Sequence, residues 1–224
     1  GNSSKQNDHD YTQWTGMDAA KKKINDLVAE AKKHNPSTVN TKIKFTIAGA
    51  SITDHPTYAV FKQAAEILNS LGWQVEVKAD SSALTKLATG SLEVWAAAWG
   101  STIDPDMYQV YHKNSGATSV LAWGYGAIKD NTSTYSYEWG IINGRLSELI
   151  DDARTIDSSD AQGKAQRATM YEEAMKLVLD LAVEMPVYQR KNLYAFSTKV
   201  RGFNKDVNPY TSPLEKIWEL ELVG

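Results

Sequence analysis

Apolar positions along the chain follow two spacings, one typical of helices and one typical of strands. In "MDAAKKKINDLVAEAKKH" the apolar residues recur every three or four positions with lysines opposite them, which predicts an amphipathic helix on a surface. The next segment, "TKIKFTIA", alternates apolar and polar residues, as a strand does. A second helix over 58–71 and a second strand over 73–78 follow. A strand, a helix and a strand within about forty residues predict a βαβ unit with parallel strands.

A third strand, "LEVWAAAWG", is apolar on both faces, which is typical of a strand in the middle of a sheet with helices on each side. A brief helix in "SSALTKLATGS" precedes it. The periodicity is poor from Asp104 to Tyr137, where we predict a short helix over 105–112 and then long loops. Two longer helices, 138–154 and 162–183, lead into extended chain and a last strand near residue 220.

These elements predict an α/β fold in which a mixed sheet is flanked by helices. The chain has 224 residues, of which 42% are hydrophobic, and this is enough for a substantial core. We expect residues 11–224 to form a single α/β lobe. Residues 1–10 are polar and lack an initiator methionine, so we expect them to be a disordered or expression-derived leader.

Composition excludes several classes of function. A net charge of -3, from 24 basic and 27 acidic residues, gives no basic surface for nucleic acid or an anionic membrane. The absence of cysteine excludes disulfides, thiolate zinc sites and cysteine nucleophiles. No run approaches the ~18 apolar residues of a membrane helix. The four histidines lack the spacing of a metal site and are expected to be solvated, and no phosphate-binding glycine loop or nucleophile elbow is present. We therefore predict no metal and no cofactor, and the familiar catalytic motifs are missing.

The stretch "DPD" contains a candidate pair of catalytic carboxylates, Asp104 and Asp106. The same stretch is also typical of the start of a helix, and this interpretation needs fewer assumptions. In that interpretation Asp104 caps the helix, Pro105 takes the first helical position, and Asp106 lies near the positive end of the helix dipole. A ligand contact from the Asp104 carboxylate stays open beside the capping role.

Aromatic residues are concentrated after the third strand begins. Nine tryptophans and tyrosines fall between residues 95 and 139, mostly where the periodicity fails. Trp95 fits the core. Trp99, Trp123 and Tyr125 are candidates for a ligand surface, because open α/β sheets bind ligands beyond the carboxyl ends of their strands. A packing role stays open for each of them.

Several segments follow one another in an order typical of a known family: "IKFTIA", then "LGWQVEV", then "GSLEVWAAAWGSTIDPD", and then paired helices that lead to "MPVYQRKNLYAF". In this order the chain, from about Met17 onward, resembles the C-terminal lobe of the family 5 extracellular solute-binding proteins, the receptors of peptide and nickel ABC importers. The resemblance implies one lobe of a type II periplasmic-binding-protein-like fold. It also implies a fragment of a longer receptor whose other lobe is N-terminal to this chain.

A receptor of this family is not an enzyme. It captures a small ligand, here expected to be an oligopeptide, in a cleft between two lobes and delivers it to a membrane permease. The resemblance implies a location outside the cytoplasm, in the periplasm or as a cell-surface lipoprotein. The strand that ends at Trp99 would point at the cleft, and the loop after it, with Ser101, Thr102 and Asp104, would help to hold the ligand.

Peptide-binding members carry a Trp-x-x-Asp pattern whose aspartate pairs with the ammonium group of the peptide. Thr102 stands at the aspartate position here, so this clamp does not carry over. A neutral hydroxyl lacks a charge-assisted hydrogen bond worth about 1.5–3 kcal/mol. The amine is then held by Asp104 or by the other lobe, or the ligand has no free N-terminus.

Two other classes of protein stay open on the sequence. One is an α/β hydrolytic or glycan-processing enzyme domain that uses Asp104 or Asp106, and its sign would be a second titrating partner in the pocket. The other is an interaction domain without a small ligand, and its sign would be a polar face without a pocket.

Overall fold

A computed structural model of the chain shows an α/β protein with a small parallel sheet flanked by helices, and about 51% of the described residues are helical. The structure describes residues 16–34, 39–48, 51–97, 100, 102–187, 193–203, 212 and 214–223. The helices are α1 (Met17–His34), α2 (Tyr58–Ser70), α3 (Ala83–Ala88), α4 (Tyr108–Tyr111), α5 (Thr118–Ala122), α6 (Tyr125–Asp130), α7 (Ser136–Ile141), α8 (Ser147–Thr155) and α9 (Ala161–Leu181). The strands are β1 (Lys42–Ala48), β2 (Gln74–Asp80), β3 (Val94–Ala96), β4 (Val200–Arg201) and β5 (Glu221–Leu222).

The three-stranded sheet has the order β2–β1–β3, and both of its strand pairs are parallel. The predicted βαβ unit is therefore confirmed, with α2 as the connection between β1 and β2. The predicted position of the third strand is wrong. Within the described residues β1 is the central strand, β3 pairs with β1 alone, and the sheet is parallel rather than mixed.

The sequence of β3 is apolar on both faces because each face is covered, although the strand lies at an edge. Val94 and Ala96 pack with the sheet and α2, whereas Trp95 points to the other side and packs against the core of the helices. Alternating side chains of one strand point to opposite faces of a sheet. A short edge strand between two cores therefore has the same apolar pattern as a central strand.

The core on one face of the sheet is formed by β1, β2 and α2. Phe45 of β1 contacts Phe61 of α2 with ring centroids 5.0 Å apart, and Ile47 is completely buried between them and β2. The end of α2 is fastened to β2 by Asn69. Its side chain accepts a hydrogen bond from the Val75 amide at 2.7 Å and donates one to the Val75 carbonyl at 3.1 Å.

A second core lies among the helices after β3, and α8 and α9 contribute most of its fully buried side chains. The apolar stripe predicted on the last long helix is confirmed, because Tyr171, Ala174, Val178 and Leu181 of α9 are buried and Met170 and Leu177 pack beside them. Ile142, Leu146 and Ile150 pack in the same core and have no exposed surface.

The helix predicted over 138–154 forms, but it is interrupted. A π-helical segment, Ile142–Leu146, joins α7 to α8, and Gly144 has non-helical angles (φ -97°, ψ -119°). Helices are often interrupted at such segments and where a side chain enters the helical hydrogen-bond pattern. Ser147 donates its hydroxyl to the Ile142 carbonyl at 2.7 Å, and the Lys113 ammonium donates to the Asn143 carbonyl at 3.1 Å.

Two predictions in the aromatic-rich stretch are wrong. The long loops expected after residue 112 contain α5 and α6, and the helix expected from Pro105 begins only at Tyr108. The Asp106 side chain accepts a hydrogen bond from the Tyr108 amide at 3.0 Å. This bond closes a local turn at a position where the backbone would otherwise be helical. Helices of five and six residues are too short to produce a recognisable apolar period.

The chain divides into two compact units. The first contains 1–98 and 106–184, and the second contains 99–105 and 185–224. The antiparallel pair β4–β5, in which Val200 pairs with Leu222, belongs to the second unit. The expectation of a single lobe over residues 11–224 stays a prediction, and the leader over residues 1–10 lies outside the described residues.

Candidate ligand-binding site at the carboxyl edge of the sheet

The three parallel strands end at one edge of the sheet. Ala48 at the end of β1 pairs with Asp80 at the end of β2, and Ile47 pairs with Ala96 at the end of β3. Ligands of open α/β sheets bind outside this carboxyl edge. Within the first unit, the ends of the three strands at this edge are therefore the candidate site.

Asp80 is a charged residue that the fold places at this edge. Its carboxylate accepts hydrogen bonds from the Lys86 ammonium of α3 and, at 2.8 Å, from the Ser82 amide. The hydrogen bond from Lys86, and to a smaller extent the one from Ser82, lowers the pKa of Asp80 below its usual value. The sequence analysis missed this pair, and its one signal was an aspartate directly after an alternating strand.

The loop after β3 contains four of the predicted ligand contacts. Trp99 and Ser101 lie outside the described residues. Thr102 and Asp104 are described and exposed, and the Thr102 hydroxyl donates to the backbone carbonyl of Asp104 at 2.6 Å. This hydrogen bond closes a local turn. The predicted ligand contact of each residue stays a prediction.

The other two predicted contacts, Trp123 and Tyr125, lie in the core among the helices. Trp123 retains 9% of its exposed surface and stacks on Tyr111 with ring centroids 4.7 Å apart and an angle of 17° between the planes. Tyr125, the first residue of α6, retains 4%. In the described structure both rings pack against protein, and their contact with a ligand stays a prediction.

The hydroxyl groups of Tyr111 and Tyr125 differ in their hydrogen bonding. Tyr111 donates to the Glu184 carboxylate, 73 residues further along the chain. Burial, together with this bond, raises the pKa of Tyr111, and burial alone raises the pKa of Tyr125. The Tyr125 hydroxyl is buried without a hydrogen-bond partner among the described residues. A buried polar group without a partner destabilises the folded state.

Removal of each hydroxyl should therefore have opposite effects on stability. Tyr125→Phe deletes an unpaired group, and we expect it to leave the free energy of unfolding unchanged or raise it by up to about 1 kcal/mol. Tyr111→Phe removes a donor from a carboxylate and should lower the free energy of unfolding by about 1–3 kcal/mol. Urea unfolding of the two variants, which differ from the parent by the same atom, measures both effects. Equal losses in the two variants would contradict this account.

His112 was expected to be solvated, and this prediction is wrong. The side chain retains 2% of its exposed surface and stacks on Tyr108 with ring centroids 4.2 Å apart. Its Nδ1 accepts a hydrogen bond from the Asn114 amide at 3.1 Å, so the proton lies on Nε2, which donates to Asp151 at 3.2 Å. With both ring nitrogens engaged, the histidine connects α4 to α8 and has no free nitrogen for proton transfer.

Asp106, the second carboxylate of "DPD", is engaged on both oxygens. Oδ1 accepts from the Tyr108 amide, and Oδ2 lies 3.2 Å from the guanidinium of Arg154 on α8. The same guanidinium lies 4.4 Å from the centre of the Tyr108 ring. Asp106 thus holds the start of α4 against α8. This is close to the helix-start role predicted for it, whereas Asp104 does not cap this helix.

Within the part of the chain that the structure describes, no group of three or more histidine, aspartate or glutamate side chains is placed to hold a metal ion. None of the described helices has the length and apolar character needed to cross a membrane.

The fold and the carboxyl edge of its sheet define the class of this protein. It is an α/β protein with a parallel sheet whose third strand is followed in the sequence by the exposed residues Thr102 and Asp104. Comparisons of the chain with protein-family models, with curated proteins and with solved structures found no match. The resemblance to the solute-binding proteins therefore depends on the sequence segments quoted above.

Proposed function

We propose that this chain is the C-terminal lobe of a family 5 solute-binding protein of an ABC importer. In this proposal the chain has a type II periplasmic-binding-protein-like fold and works outside the cytoplasm, in the periplasm or as a lipoprotein at the cell surface. It captures a small ligand, an oligopeptide, between two lobes and presents it to a membrane permease. It needs no cofactor and catalyses no reaction.

One observation carries the proposal. β3 is parallel to β1 and ends at the edge where α/β folds bind ligands, and Thr102 and Asp104 follow it in the sequence. The sequence segments that resemble the family cover the same βαβ unit and the same strand and loop. The parallel order of the strands supports the proposal.

Several apolar side chains of the second unit are exposed, and this favours contact with a further lobe. Trp218, Leu193 and Leu222 retain 75%, 92% and 86% of their exposed surface. Contact with another protein would remove these apolar side chains from water. In the proposed receptor the N-terminal lobe supplies that contact.

Because Thr102 stands where the family has an aspartate, the proposal must name another group that pairs with the amine of the ligand. The Thr102 hydroxyl is neutral and donates to the backbone carbonyl of Asp104 within its own turn, so it cannot supply the charge of an aspartate. The nearby Asp104 carboxylate is exposed and carries that charge instead. We therefore propose that Asp104, together with groups of the other lobe, faces the amino terminus of the peptide, and that Trp99 contacts its side chains.

Substitutions at the loop test the proposal. In a protein that carries both lobes, Trp99→Ala should weaken binding of short peptides by about 1–3 kcal/mol, the range for an aromatic residue at the centre of an interface. Thr102→Asp should strengthen binding of peptides with a free amine by about 1–2 kcal/mol, because it adds a charge-assisted hydrogen bond. Titration calorimetry with free and N-acetylated forms of the same peptides measures both changes.

Thr132→Asp provides the matched control, because Thr132 is exposed between α6 and α7 and the substitution adds the same charge at a position that has no role in the proposal. It should leave binding unchanged. Unchanged affinity in Trp99→Ala together with a large loss of stability would make Trp99 a packing residue. Release of a chemically altered peptide during the titration would support the enzyme class instead.

A further inference from the structure

The turn between α6 and α7 has the sequence Asn131-Thr132-Ser133. An asparagine followed by any residue except proline, and then by serine or threonine, is the acceptor sequence for N-linked glycans. Such a sequence is modified where it lies on the surface of a protein that works outside the cytoplasm. The function proposed above places this chain there. Modification of Asn131 then depends on its exposure and on the shape of the turn.

The turn is exposed over its whole length. Every residue over 131–137 is exposed, and so are the two residues before it. The backbone of the turn is hydrogen-bonded locally, since the Asn131 carbonyl accepts from the amides of Thr134 and Tyr135, each at 3.1 Å. The Asn131 amide donates to the Ile128 carbonyl at 3.3 Å and so fastens the turn to the end of α6. A bulky polar group on the Asn131 side chain therefore meets water rather than the core.

The two side chains that define the acceptor sequence lie together on this turn. The Ser133 hydroxyl donates to Oδ1 of Asn131 at 3.3 Å. The bond occupies the oxygen of the side-chain amide and leaves its nitrogen, the atom that receives a glycan, on the outside of the turn. At 3.3 Å it is a weak and exposed hydrogen bond, so an enzyme can replace it with its own contacts at little cost.

We propose that Asn131 is the acceptor of an N-linked glycan, an inference that rests on the proposed location outside the cytoplasm. The donor is an oligosaccharide joined to a lipid diphosphate, and a membrane-bound oligosaccharyl transferase binds the acceptor through the Ser133 hydroxyl. The Asn131 side-chain nitrogen forms a bond to the anomeric carbon of the sugar and loses one proton. The bond from that carbon to the diphosphate oxygen breaks, and the lipid diphosphate leaves with the electron pair.

Other stretches of the sequence require that the modified residue be identified individually. Residues 2–4, Asn-Ser-Ser, have the same acceptor pattern and lie outside the described residues. Asn35-Pro36-Ser37 has an asparagine and a serine at the right spacing, but the proline between them excludes it. A change in the mass of the whole protein therefore does not identify Asn131.

Peptide mapping of the full chain, purified from the cells that naturally make it, tests the proposal. Trypsin releases residues 130–145 as one peptide, which begins after Lys129 and ends at Arg145. This peptide should carry the mass of a glycan. An amidase that removes N-linked glycans in heavy-oxygen water should convert Asn131 to labelled aspartate. Fragment ions should place the label at Asn131 and not at Asn143 of the same peptide.

Matched variants, secreted from a eukaryotic host that transfers N-linked glycans, test the acceptor sequence. Ser133→Ala should lose the glycan on this peptide completely, whereas Thr132→Ala removes a hydroxyl one position earlier and should keep it. Ser133→Thr should also keep the glycan, because threonine has the required hydroxyl. Thr132→Pro should lose it. Circular dichroism checks that every variant stays folded.

Two results would overturn this inference: an unmodified 130–145 peptide from the native cells, and a glycan that persists in Ser133→Ala. Titration calorimetry with peptides, on a protein that carries both lobes, keeps the outcome separate from that of the proposed function. A receptor that binds peptide while Asn131 is unmodified contradicts the glycan alone. A chain that is modified at Asn131 and binds no peptide contradicts the receptor function alone.

Discussion

Gly163→Ala is expected to lower the free energy of unfolding by about 3 kcal/mol or more. Gly163 is buried in the first turn of α9, and its amide donates to Asp160 at 2.7 Å. A Cβ atom at this position would lie 1.7 Å from the backbone carbonyl oxygen of Asp157. Because the obstructing atom belongs to the backbone, no side-chain rotation relieves the clash. Either α9 or the turn before it must move.

Gly140→Ala is the matched control, because it adds the same methyl group to another helical glycine. Gly140 lies in α7 with open space around the position of a Cβ atom. Alanine favours helix more than glycine does, so this variant should raise the free energy of unfolding by up to about 1 kcal/mol. Urea unfolding followed by far-ultraviolet circular dichroism gives both values. A Gly163→Ala variant as stable as the parent would show that the turn at Asp157 moves aside without cost.

Trp123→Ala should lower the free energy of unfolding by about 3–5 kcal/mol. The indole is buried among the helices and stacked on Tyr111, so its removal leaves a cavity that the surrounding side chains cannot fill completely. Trp123→Phe retains an aromatic ring for the stack and should cost less, about 1–2 kcal/mol. The same urea measurement compares the two variants.

This result also decides the role of Trp123. Substitution of a residue that contacts ligand and is dispensable for folding would weaken ligand binding and change the free energy of unfolding little. Trp218→Ala supplies the control, because Trp218 is largely exposed and its removal should change the free energy of unfolding by less than about 0.5 kcal/mol. If Trp123→Ala proves as stable as Trp218→Ala, the ring is not part of the core.

Prediction from the sequence succeeded where the pattern is local and long. β1, β2, α2 and α9 each contain several repeats of one period, and the structure has them within a few residues of the predicted bounds. A period of two or of about 3.6 residues follows from backbone geometry, so it can be recognised without knowledge of the partner. α5 and α6 contain fewer than two turns each, and their pattern could not be distinguished from loop.

The candidate site was predictable only in part. The parallel pairing of β1 and β2 follows from the βαβ pattern, whereas Thr102 and Asp104 were assigned to the site from the resemblance to the solute-binding proteins. The ion pair of Asp80 with Lys86 was missed, because its two residues lie on different elements and neither is unusual in its own segment. Aromatic composition alone could not separate Trp123 in the core from a tryptophan in a loop.

The sequence by itself determined the long helices, the first two strands and their parallel arrangement, because these depend on periodicity and on short connections. Only the tertiary structure decided the edge position of β3, the burial of His112 and the contact between Tyr111 and Glu184. Each of these depends on groups that are far apart in the chain, such as the 39 residues between His112 and Asp151. Such groups meet only when separate elements pack together, and no local pattern records which of them will meet.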